Sequence, residues 1–167
     1  MKRAHLLCLG VLAVSLLAGC DGNQAEQQPA AHEHAAHTAY APNGDLLETT
    51  ASLDQLPSFL DHLDPQIVEA YKVAAANQDL LKTMPCYCGC GESAGHQHNG
   101  NCFIKEVNQD GSVVWDDHGT RCGTCMEIAV VSSQMKAEGK SAVEIRQFID
   151  NAFKEGFAKP TPTPMPS

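Results

Sequence analysis

Three cysteines stand at alternate positions in the run Met84-Pro85-Cys86-Tyr87-Cys88-Gly89-Cys90-Gly91. Thiols this close along a chain do not readily pair with each other, because a disulfide needs Cα atoms ~4.4–6.8 Å apart with converging Cβ vectors. Each therefore needs a partner elsewhere. Candidates follow downstream: His96, His98, Cys102, His118, Cys122 and Cys125. Such a concentration of thiol and imidazole is either a disulfide framework or a metal site.

Cys122-Gly123-Thr124-Cys125 is a ligand knuckle of the kind structural zinc uses, four donors to the ion. Cys86, Cys88, Cys90 and Cys102 supply more sulfur than one zinc needs. That surplus suits Cu(I), which accepts two or three sulfurs and tolerates bridging ones. A helix starting at Cys122 would favour the thiolate form there. The expected ligands are the six cysteines 86, 88, 90, 102, 122 and 125, then His98 and His118, and after them His96. An iron–sulfur cluster could use the same donors but fits an exported precursor poorly.

Two other chemistries compete. Cysteines outside the cytoplasm tend to oxidise, and six fit three disulfides in a structural or interaction domain. A C-x-x-C at a helix start also serves thioredoxin-like oxidoreductases, but the parallel βαβ setting is missing around Cys122/Cys125. No Ser-His-Asp order, phosphate loop or catalytic carboxylate pair stands out, so no catalytic residue is assigned. Asp116 and Asp117 read as hairpin-end residues.

Composition bounds the setting. The chain has 167 residues and a formal net charge of −9, more negative still once Lys2 and Arg3 are removed. This argues against a nucleic-acid partner, which needs clustered Lys and Arg. Aromatics are only 5% of the chain, so the core is modest and a cross-link or metal is a common supplement.

Residues 1–19 read as a signal peptide: Lys2 and Arg3, then an apolar stretch Leu6–Leu17 too short for a comfortable membrane span. Leu17-Ala18-Gly19-Cys20 resembles a bacterial lipobox, which implies cleavage before Cys20 and lipidation there. Residues 20–45 are polar and Ala-rich and read as a flexible tether; its His32, His34 and His37 could gather a metal ion.

The folded part is expected over residues 46–158. Leu53, Leu56, Phe59, Leu60 and Leu63 predict a short helix bearing a surface His62. Asp64-Pro65 predicts the start of a long helix ending near Lys82. Glycines mark 86–102 as an irregular loop, and Asp110-Gly111 predicts a hairpin turn between 102–107 and 112–115. Helices are predicted from Cys122 to Ala137, capped by Thr120 and stopped at Gly139, and after the capping box Ser141-Ala142-Val143-Glu144. Residues 159–167 read as an extended, disordered Pro/Thr tail. The fold class expected is mostly α: a small three- or four-helix domain with a Cys/Gly-rich loop and a short β-hairpin.

Pro85-Cys86-Tyr87-Cys88-Gly89-Cys90, with Cys102-Phe103, Trp115-Asp116-Asp117-His118-Gly119 and Arg121-Cys122-Gly123-x-Cys125, resembles the PCYCGC-motif lipoproteins of bacteria over about Leu46 to Phe157. The resemblance implies a small exported domain, usually lipid-anchored in the cell envelope, and brings no established activity or substrate. The functional expectation is a lipid-anchored extracytoplasmic domain binding Cu(I) first and Zn(II) second, for sequestration, delivery or structural support. Its partners would be the membrane, through Cys20, and a metal-trafficking protein.

Overall fold

A computed structural model describes residues 37–167. The expected hairpin is present: β3 (Ile104–Val107) pairs antiparallel with β4 (Val113–Asp116). Gly111 takes a left-handed φ of 89° in the turn, and Asp110 accepts from the backbone N–H of Ser112 at 2.9 Å.

The hairpin does not stand alone. Strands β1 (His37–Tyr40) and β2 (Leu46–Thr50) extend it into a four-stranded antiparallel sheet of order β1-β2-β4-β3. Among the described residues five α-helices accompany the sheet, so the fold is mixed α/β and the mostly-α expectation is corrected. The reason lies in β1 and β2. β1 is exposed throughout and falls in the stretch read as tether, while Leu46-Leu47-Glu48-Thr49-Thr50 lacks the strict alternation of a half-buried strand. Glu48 is buried because its carboxylate accepts from the Ser58 N–H at 2.6 Å and the Ser58 hydroxyl at 2.8 Å. Those bonds satisfy the start of a 3-10 turn, Ser58–Leu60, which replaces the short helix expected there.

The main helices start and stop for the expected reasons, with two adjustments. Asp64 caps α1 (Pro65–Ala76) by accepting from the Gln66 N–H at 2.8 Å. The helix expected to reach Lys82 breaks at Asn77, whose side chain donates to the Val73 carbonyl, and restarts as α2 (Gln78–Leu81). A short α3 (Cys90–Ser93) precedes the sheet hairpin. Cys122, not Thr120, occupies the cap position of α4 (Gly123–Ala137), since the Thr120 hydroxyl donates to Asp117 within the preceding 3-10 turn. α5 (Ala142–Phe153) opens on the complete capping box of Ser141 and Glu144.

The core lies between sheet and helices. Tyr71 of α1 packs edge-on to Phe103, its hydroxyl donating to the Asp116 carbonyl at 2.7 Å, and Trp115 donates from Nε1 to Thr50 Oγ1 at 2.7 Å. Ile128 of α4 and Ile145, Ile149 and Phe153 of α5 complete it. No helix among the described residues is long and apolar enough to cross a membrane.

The last residues are part of this structure, unlike the disordered tail expected of Pro160–Ser167. Thr161 and Thr163 are buried, and Arg146 of α5 donates from Nη1 to the carbonyls of Thr83, Thr163 and Pro164. An exposed-looking Pro/Thr run is thus held by backbone acceptors, which composition does not reveal.

Candidate metal centre

Three segments deliver the sulfurs. After α2, Pro85 forbids further helix, and the irregular stretch that follows sends successive side chains to different partners. Tyr87 goes to α5, donating to Asp150 Oδ1 at 2.7 Å and stacking on Phe153. Cys86 and Cys88 go the other way, into the cluster. Gly89 then adopts a left-handed φ of 85°, the turn that opens α3 and returns Cys90 to the same place.

The second segment is a 3-10 turn, Asn99–Cys102, which puts Cys102 at the centre with no exposure. Cys122 at the cap of α4 and Cys125 in its first turn are three residues apart and converge on the same cluster. A close approach makes the convergence possible: a Cβ on Gly119 would stand 2.8 Å from the Cys102 carbonyl oxygen and 2.8 Å from Phe103 Cδ1. Asn99 adds a tie, donating from Nδ2 to the Cys125 carbonyl at 3.1 Å.

All six thiols are unbridged; five are buried and Cys88 is half-buried. Cys102 Sγ lies 3.1 Å from Cys125, 3.5 Å from Cys86 and 3.8 Å from Cys90, and 3.3 Å from His96 Nδ1. Cys125 Sγ lies 3.4 Å from Cys88 and 3.9 Å from Cys86. A sulfur with three sulfur neighbours is not divided into pairs. Four sulfurs ~2.3 Å from a tetrahedral ion stand ~3.8 Å apart, close to these spacings.

The donors fall into linked sets whose atoms lie within 4.8 Å of one another: Cys86, Cys90, His96 and Cys102; Cys88, Cys122 and Cys125; and Cys88, Cys90 and His118. The fold thus brings together all six cysteines with His96 and His118, whose rings are 4.7 Å apart. His98 is elsewhere. It lines a small cleft with Ala74, Gln78 and Gly100, and burial, then Lys82 and His96, lower its pKa. Positions 96 and 98 flank one residue of irregular loop, so spacing could not choose between them. Cys20, His32 and His34 lie outside the described residues; His37 opens β1 and His62 is exposed.

Asp45 is the residue the sequence did not point to. It is buried at the β1–β2 turn and meets His118 Nδ1 at 2.9 Å, while His118 also stands within the set formed with Cys88 and Cys90. Arg121 pairs with the same carboxylate and with Asp117 at 2.6 Å. A carboxylate behind a histidine fixes its tautomer and orientation and raises its basicity as a ligand. Asn43-Gly44, a strong turn pair, was the available signal.

The thiols share protons unequally. Hydrogen bonds from Cys102 first, then from other thiols, pull Cys88 and Cys90 well below the usual thiol range. Contact with Cys102, then with Cys122, Cys86 and Cys88, pushes Cys125 far up. At Cys122 the hydrogen bond with Cys125 lowers the pKa, but Cys88 and burial outweigh it and carry it to about 11. His118 rises to about 10, held first by Cys88 and Cys90, with Asp45 adding to them against burial. The cluster keeps several protons because crowded thiolates repel one another. A cation entering it would replace them.

The C-terminal segment straps the motif loop. Cys86 N–H donates to Thr161 Oγ1 at 3.0 Å, Thr161 N–H returns to the Cys86 carbonyl at 3.1 Å, and Ala158 N–H donates to the Tyr87 carbonyl at 2.9 Å. Thr163 Oγ1 donates to the Gln97 carbonyl at 2.7 Å.

Neither the curated proteins nor the solved structures contain a match to this chain. One family model, described as a protein of unknown function with PCYCGC motif, matches residues 9–166. That match takes in all of the stretch read as tether and nearly all of residues 159–167 as well as the cysteine segments, a wider span than the resemblance over 46–157. The motif cysteines and the C-terminal residues that hold them are matched together, and the chain belongs to the PCYCGC-motif family.

Proposed function

We propose that this chain binds a soft metal ion, Cu(I) first and Zn(II) second, through Cys86, Cys88, Cys90, Cys102, Cys122 and Cys125 with His96 and His118. The observation that carries the proposal is the single unpaired cluster, in which Cys102 contacts three other sulfurs and an imidazole. Three discrete disulfides are poorly served by that arrangement. A thioredoxin-like role for Cys122/Cys125 is disfavoured by the wholly antiparallel sheet and by the complete burial of Cys125.

Thiolate-rich surroundings select soft ions, and sulfur in excess of four donors favours Cu(I). Lipid attachment at Cys20 would hold the domain at the outer face of a bacterial membrane, where it would sequester the ion or pass it to a trafficking protein. Metal analysis combined with thiol counting on one anaerobically purified sample tests the reading. Copper or zinc in fixed ratio, with loss of fold on chelation, is expected, because ligation energy is part of folding energy at such sites. Three intact disulfides in metal-free, non-reduced protein would refute it.

A further inference from the structure

The donors are not equivalent in number or in access. Cys86, Cys90, His96 and Cys102 make a closed set of three sulfurs and one nitrogen, every member buried. Cys88, Cys122 and Cys125 make a set of only three sulfurs. That second set reaches an open cleft of about 500 Å³ through Cys88 and Cys122; of the first set only Cys90 touches the same cleft, beside His118. Closed four-donor sites are the structural kind, whereas a site that keeps a position open admits another ligand. The two sets touch through Cys102 and Cys125, whose sulfurs are 3.1 Å apart, and through Cys86 and Cys125 at 3.9 Å.

The geometry points to two adjacent ion sites of different lability: a resident ion in the closed set and an exchangeable ion in the three-sulfur set at the cleft. This rests on the metal-binding reading and adds to it a division of labour. The exchangeable ion would leave by ligand substitution. An incoming thiol from a cysteine-bearing metal carrier adds at the open position as the bond to Cys88 breaks, and its proton passes to the freed Cys88 sulfur; further carrier thiols then replace Cys122 and Cys125 in the same way, one proton passing to each sulfur released. Cu(I) keeps its oxidation state throughout. Cys88 suits the departing role as the half-buried sulfur of the six.

The test loads the reduced protein anaerobically with Cu(I) and follows its removal by an excess of a coloured Cu(I) chelator. About two ions per chain are expected, one leaving at least tenfold faster than the other. Cys122→Ser and Cys88→Ser, both in the outer set, should each abolish the fast phase and keep the slow one. The pair of variants guards against one failing to fold. One ion per chain, a single removal phase, or loss of both phases in both variants would overturn the two-site inference while leaving metal binding intact. A protein that takes up no Cu(I) would overturn both.

Discussion

Thr161→Val probes whether the C-terminal strap holds the motif loop. Valine keeps the branched shape that packs on Gly91, where an added Cβ would meet Thr161 Cγ2 at 2.9 Å. It replaces with a methyl group the oxygen that accepts from the buried Cys86 N–H at 3.0 Å. A buried donor left without a partner costs about 1–3 kcal/mol, and a lost hydroxyl pair contributes about 1 kcal/mol more. That pair is the 2.9 Å contact between Thr161 Oγ1 and Thr163 Oγ1. The sum is roughly 2–4 kcal/mol, and with a urea dependence of about 2 kcal/mol/M the midpoint should fall by about 1–2 M. Thr161→Ser keeps the hydroxyl and removes one methyl, so it should cost only about 1 kcal/mol. Equilibrium urea unfolding of the reduced, metal-free protein is the assay, with unchanged slope as the sign that the folded state alone is affected. A valine variant within about 0.5 kcal/mol of wild type, or a serine variant as costly as valine, would refute the strap as a support for Cys86.

Asp45→Asn should weaken Cu(I) binding about 10–100-fold while the fold persists, because His118 loses the carboxylate that orients it; chelator competition with circular dichroism on the same sample checks this. Gly119→Ala forces a Cβ against Cys102 and Phe103 and should cost about 1–3 kcal/mol in thermal or urea unfolding. In the metal-free protein, short alkylation at neutral pH should label Cys88 first and Cys102 and Cys125 last, read by peptide mass spectrometry, since Cys88 combines a lowered pKa with partial exposure. His118, with its pKa raised from 6.5 to about 10, stabilises the metal-free fold fully below about pH 6.5 and loses that contribution as pH rises through about 10. Urea midpoints measured across that interval should fall with pH, and less steeply in His118→Asn.

The cysteines declared themselves as a group because six thiols in a short span have few chemical explanations, whatever the fold. Local rules also placed the Asp64 cap, the Asp110-Gly111 turn, the Gly139 stop and the Ser141 capping box, each decided by neighbours within four residues. Tertiary contact decided the rest. β1 and β2 became strands because β4 offered β2 an edge to pair with, an interaction across more than sixty residues that no local period encodes. Asp45 joined the site only because that pairing sets its turn beside His118. His96 entered and His98 turned away because an irregular backbone has no fixed side-chain period. The proline–threonine end became ordered because Arg146 and the backbone of Cys86 supplied its hydrogen-bond partners. Residue type could therefore name the chemistry, but only distant backbone segments meeting in space could assign each donor its place and its access to solvent.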